Sequence, residues 1–150
     1  MEMKNIILNQ IFNNMGELKM NPKTEELLDR TFDFGVNCLL FLEQLPKTQV
    51  YAIITFQLAK ASTSIGSNYE EAQSAESGKD FVHKVGIVSK EARESNYWLR
   101  MLNAILAELK KDEKFKTILK ESYEFKKIFT SIKLTAQQNL NNKNKNAKKY

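Results

Sequence analysis

The chain has little of the residues that interrupt helices or build covalent sites: two prolines, five glycines, one cysteine and one histidine in 150 residues. So few breakers favour long helices joined by short turns. A lone cysteine, Cys38, cannot form an internal disulfide, which favours a reducing, cytoplasmic environment. No run of 18 apolar residues is present, so no membrane span is predicted. The first ten residues lack the small-residue cleavage site of a secretory leader.

The same shortages weigh against catalysis and metal binding. His83 and Cys38 offer too few ligands for a zinc site, and one histidine cannot supply a carboxylate-bridged di-iron centre. The glycines form no phosphate-binding loop. Cys38 lies in an apolar helical stretch, which is typical of a packed, inert thiol. We therefore predict a non-enzymatic protein with no catalytic residue, no cofactor and no metal ligand.

Apolar residues recur at helical spacing over four long segments, and no β pattern of useful length is present. The predicted helices cover 24–45, 49–77, 79–111 and 112–140, and their short connections favour neighbouring antiparallel helices. The expected fold is all-α, an antiparallel up-down four-helix bundle over 23–140. Residues 1–22 form an N-terminal arm with a short amphipathic helix at 3–15. The polar segment 141–150 is predicted to be a disordered basic tail.

The first predicted helix carries two apolar faces. One is a long stripe (Leu28, Phe32, Val36, Leu39 and Leu42), and the other is Phe34, Phe41 and Leu45. We expect one face to meet the bundle and the other to meet another subunit or the N-terminal arm. In the second helix, small residues around Gly66 would let a neighbouring helix approach closely.

Positive charge is concentrated at the C-terminal end. The formal net charge is +5, but residues 110–150 hold twelve lysines and four acidic residues, a net +8 that leaves −3 for the other 109 residues. A basic limb of this kind attracts polyanions, although a solvated lysine-rich helix face would look the same. The candidates for binding RNA or DNA phosphates are Lys116, Lys120, Lys126, Lys127, Lys133, Lys143, Lys145, Lys148 and Lys149.

Polar residues also interrupt the apolar stripes of the second and third helices. Asn68, Glu71, Glu91 and Glu94 are interpreted as a structural network between helices or subunits. Paired carboxylates can perform acid–base catalysis, but no other candidate catalytic group accompanies them. Tyr97 and Trp98 could stack on bases, yet adjacent helical residues point about 100° apart, so packing is the plainer interpretation.

Four stretches carry a family resemblance: Ser64-Ile-Gly-Ser-Asn-Tyr-Glu-Glu-Ala72, Lys79-Asp-Phe81, Lys90-Glu-Ala-Arg-Glu-Ser-Asn-Tyr-Trp-Leu99 and Glu121-Ser-Tyr-Glu-Phe-Lys-Lys-Ile-Phe-Thr-Ser-Ile132. Together, over roughly 25–135, the chain resembles the bacterial four-helix-bundle proteins once called 23S ribosomal RNA intervening-sequence proteins. The resemblance implies a homopentameric ring, and it places Asn68, Glu71 and Glu94 on polar positions of the family's pattern.

The resemblance also implies relatives of two kinds. Some are encoded within ribosomal RNA gene inserts and have no established activity. Others are accessory proteins of diversity-generating retroelements, which bind nucleic acid and a reverse transcriptase through a basic surface. We therefore expect a cytoplasmic, homopentameric scaffold or adaptor associated with RNA or DNA. The alternative is a protein–protein interaction module with no nucleic-acid role.

Overall fold

Four α-helices follow one another in chain order in the computed structural model, which describes residues 20–147. They are α1 (Pro22–Leu42), α2 (Gln49–Ala72), α3 (Gly78–Ile105) and α4 (Glu113–Ala147), with a 3-10 turn (Ala107–Lys111) before α4. Residues 20–147 contain no β-strand. None of the helices in this part of the chain combines the length and apolarity needed to cross a membrane.

A side-chain cap marks the start of each helix. The Asn21 carboxamide accepts from the Lys23 amide (2.9 Å), and Pro22 occupies the first turn, where its missing N–H is not needed. Thr48 caps α2, and the hydroxyl of Ser77 accepts from the Asp80 amide (3.1 Å) at the start of α3. At α4, the Asp112 carboxylate accepts from the Phe115 amide (3.0 Å). With Asn21 as its cap, α1 begins at Pro22, two residues before the predicted start at 24.

The predicted ends of all four helices are wrong, and α1 ends at Leu42, three residues before its predicted end. α2 ends at Ala72 and α3 at Ile105, five or six residues before the predicted ends. Leu106 then adopts an extended conformation, and Leu109 of the 3-10 turn is buried. In contrast, α4 continues past 140, so residues 141–147 of the predicted disordered tail are helical. A long helix extends at little cost, because each added residue contributes a hydrogen bond without a new nucleation step.

Each helix packs against the next one in the chain, and α1 completes the bundle by packing against α4. The contact between α1 and α4 is the smallest of these helix–helix contacts. Aromatic pairs fill the core: Phe34 meets Phe125 edge-on with ring centroids 5.2 Å apart, and Tyr69 meets Phe129 at the same distance. At the α1–α4 surface, Arg30 forms a bidentate pair with Glu121 at 2.8 and 2.9 Å. The predicted antiparallel four-helix bundle is confirmed.

The face of α1 that enters the core is the second of the two predicted faces. Leu27, Phe34, Cys38 and Phe41 are buried, whereas Phe32, Val36 and Leu39 of the longer stripe are exposed in the single chain. Both faces fit a period of 3.6 residues, so periodicity alone does not choose between them. The choice is made where α1 crosses α2.

A close crossing of α1 and α2 at Gly66 decides that orientation. A methyl group at Gly66 would lie 3.3 Å from the Thr31 carbonyl oxygen, and one at Gly35 would lie 3.5 Å from the Ser62 carbonyl oxygen. The expected close approach at Gly66 is therefore confirmed. With Thr31 and Gly35 turned toward α2, Phe32 and Val36 must point away from the core.

Candidate nucleic-acid interface

A buried polar link joins α3 to α4. The Asn96 amide nitrogen donates to the Ser122 hydroxyl (2.9 Å), and that hydroxyl donates to the Leu119 carbonyl (2.7 Å). Asn96 and Ser122 are both fully buried. Because a buried amide without a partner is costly, this link fixes how far α3 slides along α4.

The same link reaches the surface through a lysine. The Lys126 ammonium donates to the Asn96 side-chain carbonyl (3.2 Å) and lies 5.5 Å from the centre of the Tyr123 ring. Asn96 therefore holds Lys126 at the boundary between the two helices. Sequence reasoning overlooked Asn96, although its position four residues after Ala92 and three before Leu99 puts it on the buried stripe of α3.

Two further cations bridge α3 and α4 nearby. The Arg93 guanidinium donates to the Thr130 hydroxyl (3.2 Å). The Lys133 side chain lies over Gly86, where a methyl group would be 3.7 Å from Cε. We call Arg93, Lys126 and Lys133 the basic seam, since all three hold positive charge at the α3–α4 boundary.

Three acidic side chains of α3 and α4 pair with cations outside the seam. Glu121 pairs with Arg30 of α1, which raises the pKa of that guanidinium, and Glu113 pairs with Lys116 (2.6 Å). Asp80 lies 4.0 Å from Lys84. Among residues 20–147, no carboxylate lies within 4.0 Å of the seam cations, or of Lys120 and Lys127. Within residues 20–147, the three seam cations therefore form no ion pair.

The predicted lysines fall into separate groups. Lys126 and Lys133 belong to the seam, Lys120 and Lys127 are exposed beside it on α4, and Lys116 is engaged by Glu113. Lys143 and Lys145 are exposed on the last turns of α4. Lys148 and Lys149 lie outside the described residues, as does almost all of the predicted arm at 1–22. Arg93, the seam cation that α3 supplies, was not among the predicted residues.

Two exposed tyrosines accompany these cations. Tyr97 of α3 is 46% exposed and Tyr123 of α4 is 41% exposed. Trp98 is half-buried, and its indole N–H donates to Glu94 (3.3 Å). As expected for neighbours on a helix, Tyr97 and Trp98 do not share a face, and their rings meet edge-on at 5.0 Å. Tyr97 and Tyr123 are therefore the rings of this region that a base could reach.

The four residues of the predicted polar network lie along the contact between α2 and α3. Asn68 donates to the Ser64 carbonyl of its own helix (2.8 Å), and Glu71 crosses to Lys84 (3.4 Å). Within the described part of the chain, no hydrogen bond joins two of the four. A network between subunits stays a prediction.

Glu91 carries a buried polar atom without a hydrogen-bond partner among the residues that the structure describes. Its Oε2 is buried and accepts no hydrogen bond from residues 20–147, and the Ser95 hydroxyl is in the same situation. Burial, reinforced by the charge of Glu94, raises the pKa of Glu91, while Lys60 opposes the shift. An uncompensated carboxylate of this kind works against stability.

Cys38 and His83 differ in their exposure to solvent. The Cys38 thiol is buried in the core, and burial raises its pKa to about 12, so the thiol is protonated at neutral pH. His83 is exposed on α3. Among residues 20–147, no three His, Cys, Asp or Glu side chains gather in a group that could hold a metal ion.

Comparison with known proteins places the chain among relatives of the same fold. The model of the family described as "23S rRNA-intervening sequence protein" matches residues 23–131. The chain belongs to this family. A comparison with curated proteins finds no match.

A solved structure agrees with this assignment. It is that of a protein of unknown function from the S23 ribosomal protein family of Bacteroides thetaiotaomicron VPI-5482. The two chains are 32% identical with a TM-score of 0.64, over 74% of the present chain and 97% of the other. About a quarter of the present chain therefore lies outside the shared bundle. Neither comparison names an enzymatic activity.

Proposed function

We propose that this protein is a non-enzymatic, oligomeric scaffold that binds RNA or DNA phosphates through the basic seam and the lysines beside it. The observation that carries the proposal is the separation of charge across α3 and α4. Arg93, Lys126 and Lys133 have no carboxylate within 4.0 Å among residues 20–147, while Glu121 and Glu113 are paired elsewhere. Lysine and arginine bind phosphate without regard to base identity, so binding with little sequence preference is expected.

The aromatic side chains extend this proposal to single strands. Tyr97 and Tyr123 are exposed on the same two helices as the cations. Flexible strands can place bases on such rings while their phosphates meet the lysines, whereas a duplex keeps its bases stacked inside. A single strand should therefore bind this face more tightly than a duplex of equal length.

Assembly into a ring would strengthen weak phosphate contacts. Val50, Ile53 and Phe56 form an exposed apolar patch on α2, in which Phe56 is 67% exposed. Such a patch suits association between copies, and the family resemblance leads us to propose a homopentamer. Five copies of the seam on one particle would add their contacts through multivalency. By the same resemblance, a reverse transcriptase is the enzyme partner to test.

Charge reversal beside the seam tests nucleic-acid binding. The double variant Lys120→Glu/Lys127→Glu changes two exposed lysines that have no carboxylate partner among residues 20–147. Fluorescence anisotropy with a labelled single-stranded RNA, at salt from about 50 to 200 mM, should show affinity falling steeply with salt. The variant should weaken binding and reduce the slope of log K against log salt by about 2.

A matched control keeps the same change in net charge. Lys23→Glu/Lys47→Glu alters two exposed lysines away from the seam, one in the first turn of α1 and one in the connection between α1 and α2. This control should bind almost as the parent does, and sedimentation of both variants should give the parent's mass. Equal weakening by the two pairs would show that overall charge, not the seam, is responsible. No binding by the parent even at low salt would contradict the proposal.

A protein-binding module is the second candidate function. The specific observation in its favour is the apolar face of α1, where Phe32 is 69% exposed in the single chain. Monomeric proteins rarely leave such surfaces uncovered. If RNA and DNA both fail to bind, and this face is found uncovered in the full chain, it becomes the better guide to the protein's role.

A further inference from the structure

An apolar groove runs along the outer side of α1 and α2. It has a volume of about 560 Å³ and its α1 wall is apolar, formed by Leu28, Phe32, Val36 and Leu39. The α2 wall is small and polar, formed by Thr63, Gly66, Ser67 and Glu70. We call this the α1–α2 groove. The close crossing at Gly66 forms its floor, so the groove is a direct consequence of how α1 and α2 pack.

The chain enters α1 at one end of this groove. Met20 lies in a surface hollow with Glu70, Glu71 and Ser74, near the end of α2. Glu70 also lines the α1–α2 groove. The residues that precede Met20 are therefore tethered at the mouth of the groove, on its α2 side.

The sequence before Met20 has the pattern and length to fill the groove. At helical spacing, Ile7, Leu8, Ile11, Phe12 and Met15 share one face, and Asn9 and Asn13 lie opposite it together with Ile6. Residues 6–15 as a helix would be about 14 Å long, and the groove from Leu28 to Leu39 spans about 17 Å of α1. From Met20, residues 16–19 can bridge up to about 14 Å, enough to turn back along α1.

We propose that residues 6–15 of the same chain lie in the α1–α2 groove as a helix antiparallel to α1, with the apolar face inward. A helix this short needs a docking surface to be stable in water, and the groove is the exposed apolar surface next to its tether. The short tether gives the chain's own segment a high effective concentration, which favours it over a second copy's. This inference does not depend on nucleic-acid binding.

Thiol reactivity in the full chain tests whether the groove is covered. Val36 and Tyr123 are 39% and 41% exposed in the described part of the chain. Single variants Val36→Cys and Tyr123→Cys should therefore react alike with a maleimide if nothing covers the groove. The native Cys38 is buried and adds no fast reaction. We expect the thiol at 36 to react at least roughly tenfold more slowly, because it must wait for the segment to open.

A matched pair of variants assigns that protection to the segment. Combined with Val36→Cys, Ile11→Asp puts a charge on the apolar face of residues 6–15, whereas Asn13→Asp puts the same charge on the polar face. Ile11→Asp should bring the reactivity at 36 to that at 123, and Asn13→Asp should leave the protection unchanged. Equal reactivity at 36 and 123 before any such change would overturn the proposal.

Disulfide formation distinguishes the chain's own segment from a neighbour's. On oxidation, the pair Phe12→Cys and Phe32→Cys should give a cross-link within one chain, seen as a fast-migrating monomer on a non-reducing gel. The control pair Phe12→Cys and Tyr123→Cys should not. Cross-linked dimers through positions 12 and 32 would show that the segment of another copy occupies the groove. The absence of any cross-link would show that residues 6–15 do not occupy it. Either result contradicts the proposal.

Discussion

Asn96 combines two roles in one side chain. Its amide nitrogen holds Ser122 inside the bundle at 2.9 Å, and its carbonyl oxygen holds Lys126 at the surface at 3.2 Å. Since the two partners sit four residues apart on α4, one buried residue of α3 positions both a core contact and a seam cation. The placement of charge is thereby linked to the packing of the core.

Truncation of Asn96 should therefore reduce stability. Asn96→Ala removes both hydrogen bonds and leaves a small cavity, for an expected loss of about 1–3 kcal/mol in the free energy of unfolding. Urea unfolding of Asn96→Ala, Ser122→Ala and the double variant at one protein concentration measures the coupling. Strict additivity of the two single changes would show that the Asn96–Ser122 bond contributes nothing specific.

Glu91 should make stability depend on pH. Its pKa is raised in the folded chain, mainly by burial, so the folded state holds this proton more tightly than the unfolded state does. The resulting penalty is absent below the ordinary Glu pKa of about 4.3 and grows as pH rises through the folded pKa. Glu91→Gln removes the titration, so its melting temperature relative to the parent should be higher at pH 8 than at pH 4.

The pH dependence of that difference is the discriminating measurement for Glu91. Glu70→Gln serves as the control, because Glu70 is exposed on α2. A Glu91→Gln effect of the same size at both pH values would show that folding does not shift the pKa of Glu91, and a reversed difference would show that the carboxylate is paired with a cation in the assembled protein.

At the scale of the helices, two glycines differ in how closely another helix approaches them. Gly66 faces the α1 backbone, where a methyl group would be 3.3 Å from the Thr31 oxygen. Gly86 faces only the end of Lys133, at 3.7 Å. Each glycine lowers the helix propensity of its segment, but only at Gly66 does a close helix crossing offset that cost.

Substitution of the two glycines should therefore have opposite signs. Gly66→Val forces α1 away from α2 and should cost about 1–3 kcal/mol. Gly86→Ala removes a flexible residue without crowding and should stabilise by up to about 1 kcal/mol. Thermal unfolding followed by circular dichroism measures both. A tolerated Gly66→Val would mean that the α1–α2 crossing is not a tight constraint.

At the scale of the whole molecule, the family bundle is separate from what lies beyond it. The family match covers 23–131, whereas the basic end of α4 and residues 6–15 fall outside it. The proposed phosphate-binding surface spans both parts, since Arg93 and Lys126 lie inside the match and Lys143 and Lys145 outside. The groove proposal concerns an addition to the bundle.

Particular residues show how far the sequence alone determined the outcome. Helical spacing and few breakers were sufficient for four helices and their order, because burial of an apolar stripe is a local, periodic requirement. The close approach at Gly66 could also be predicted, because it follows from the small size of that residue. The charge excess of residues 110–150 was likewise a property of composition.

Only the tertiary structure decided which faces meet. Phe32 and Phe34 satisfy the same period, and the Gly66 crossing, a contact between segments more than thirty residues apart, selects Phe34 for the core. Arg93 and Lys126 become neighbours through Asn96 and Thr130 on partner helices. The role of a side chain that depends on a partner on another helix cannot be predicted from spacing along one helix, because spacing does not specify the register between helices.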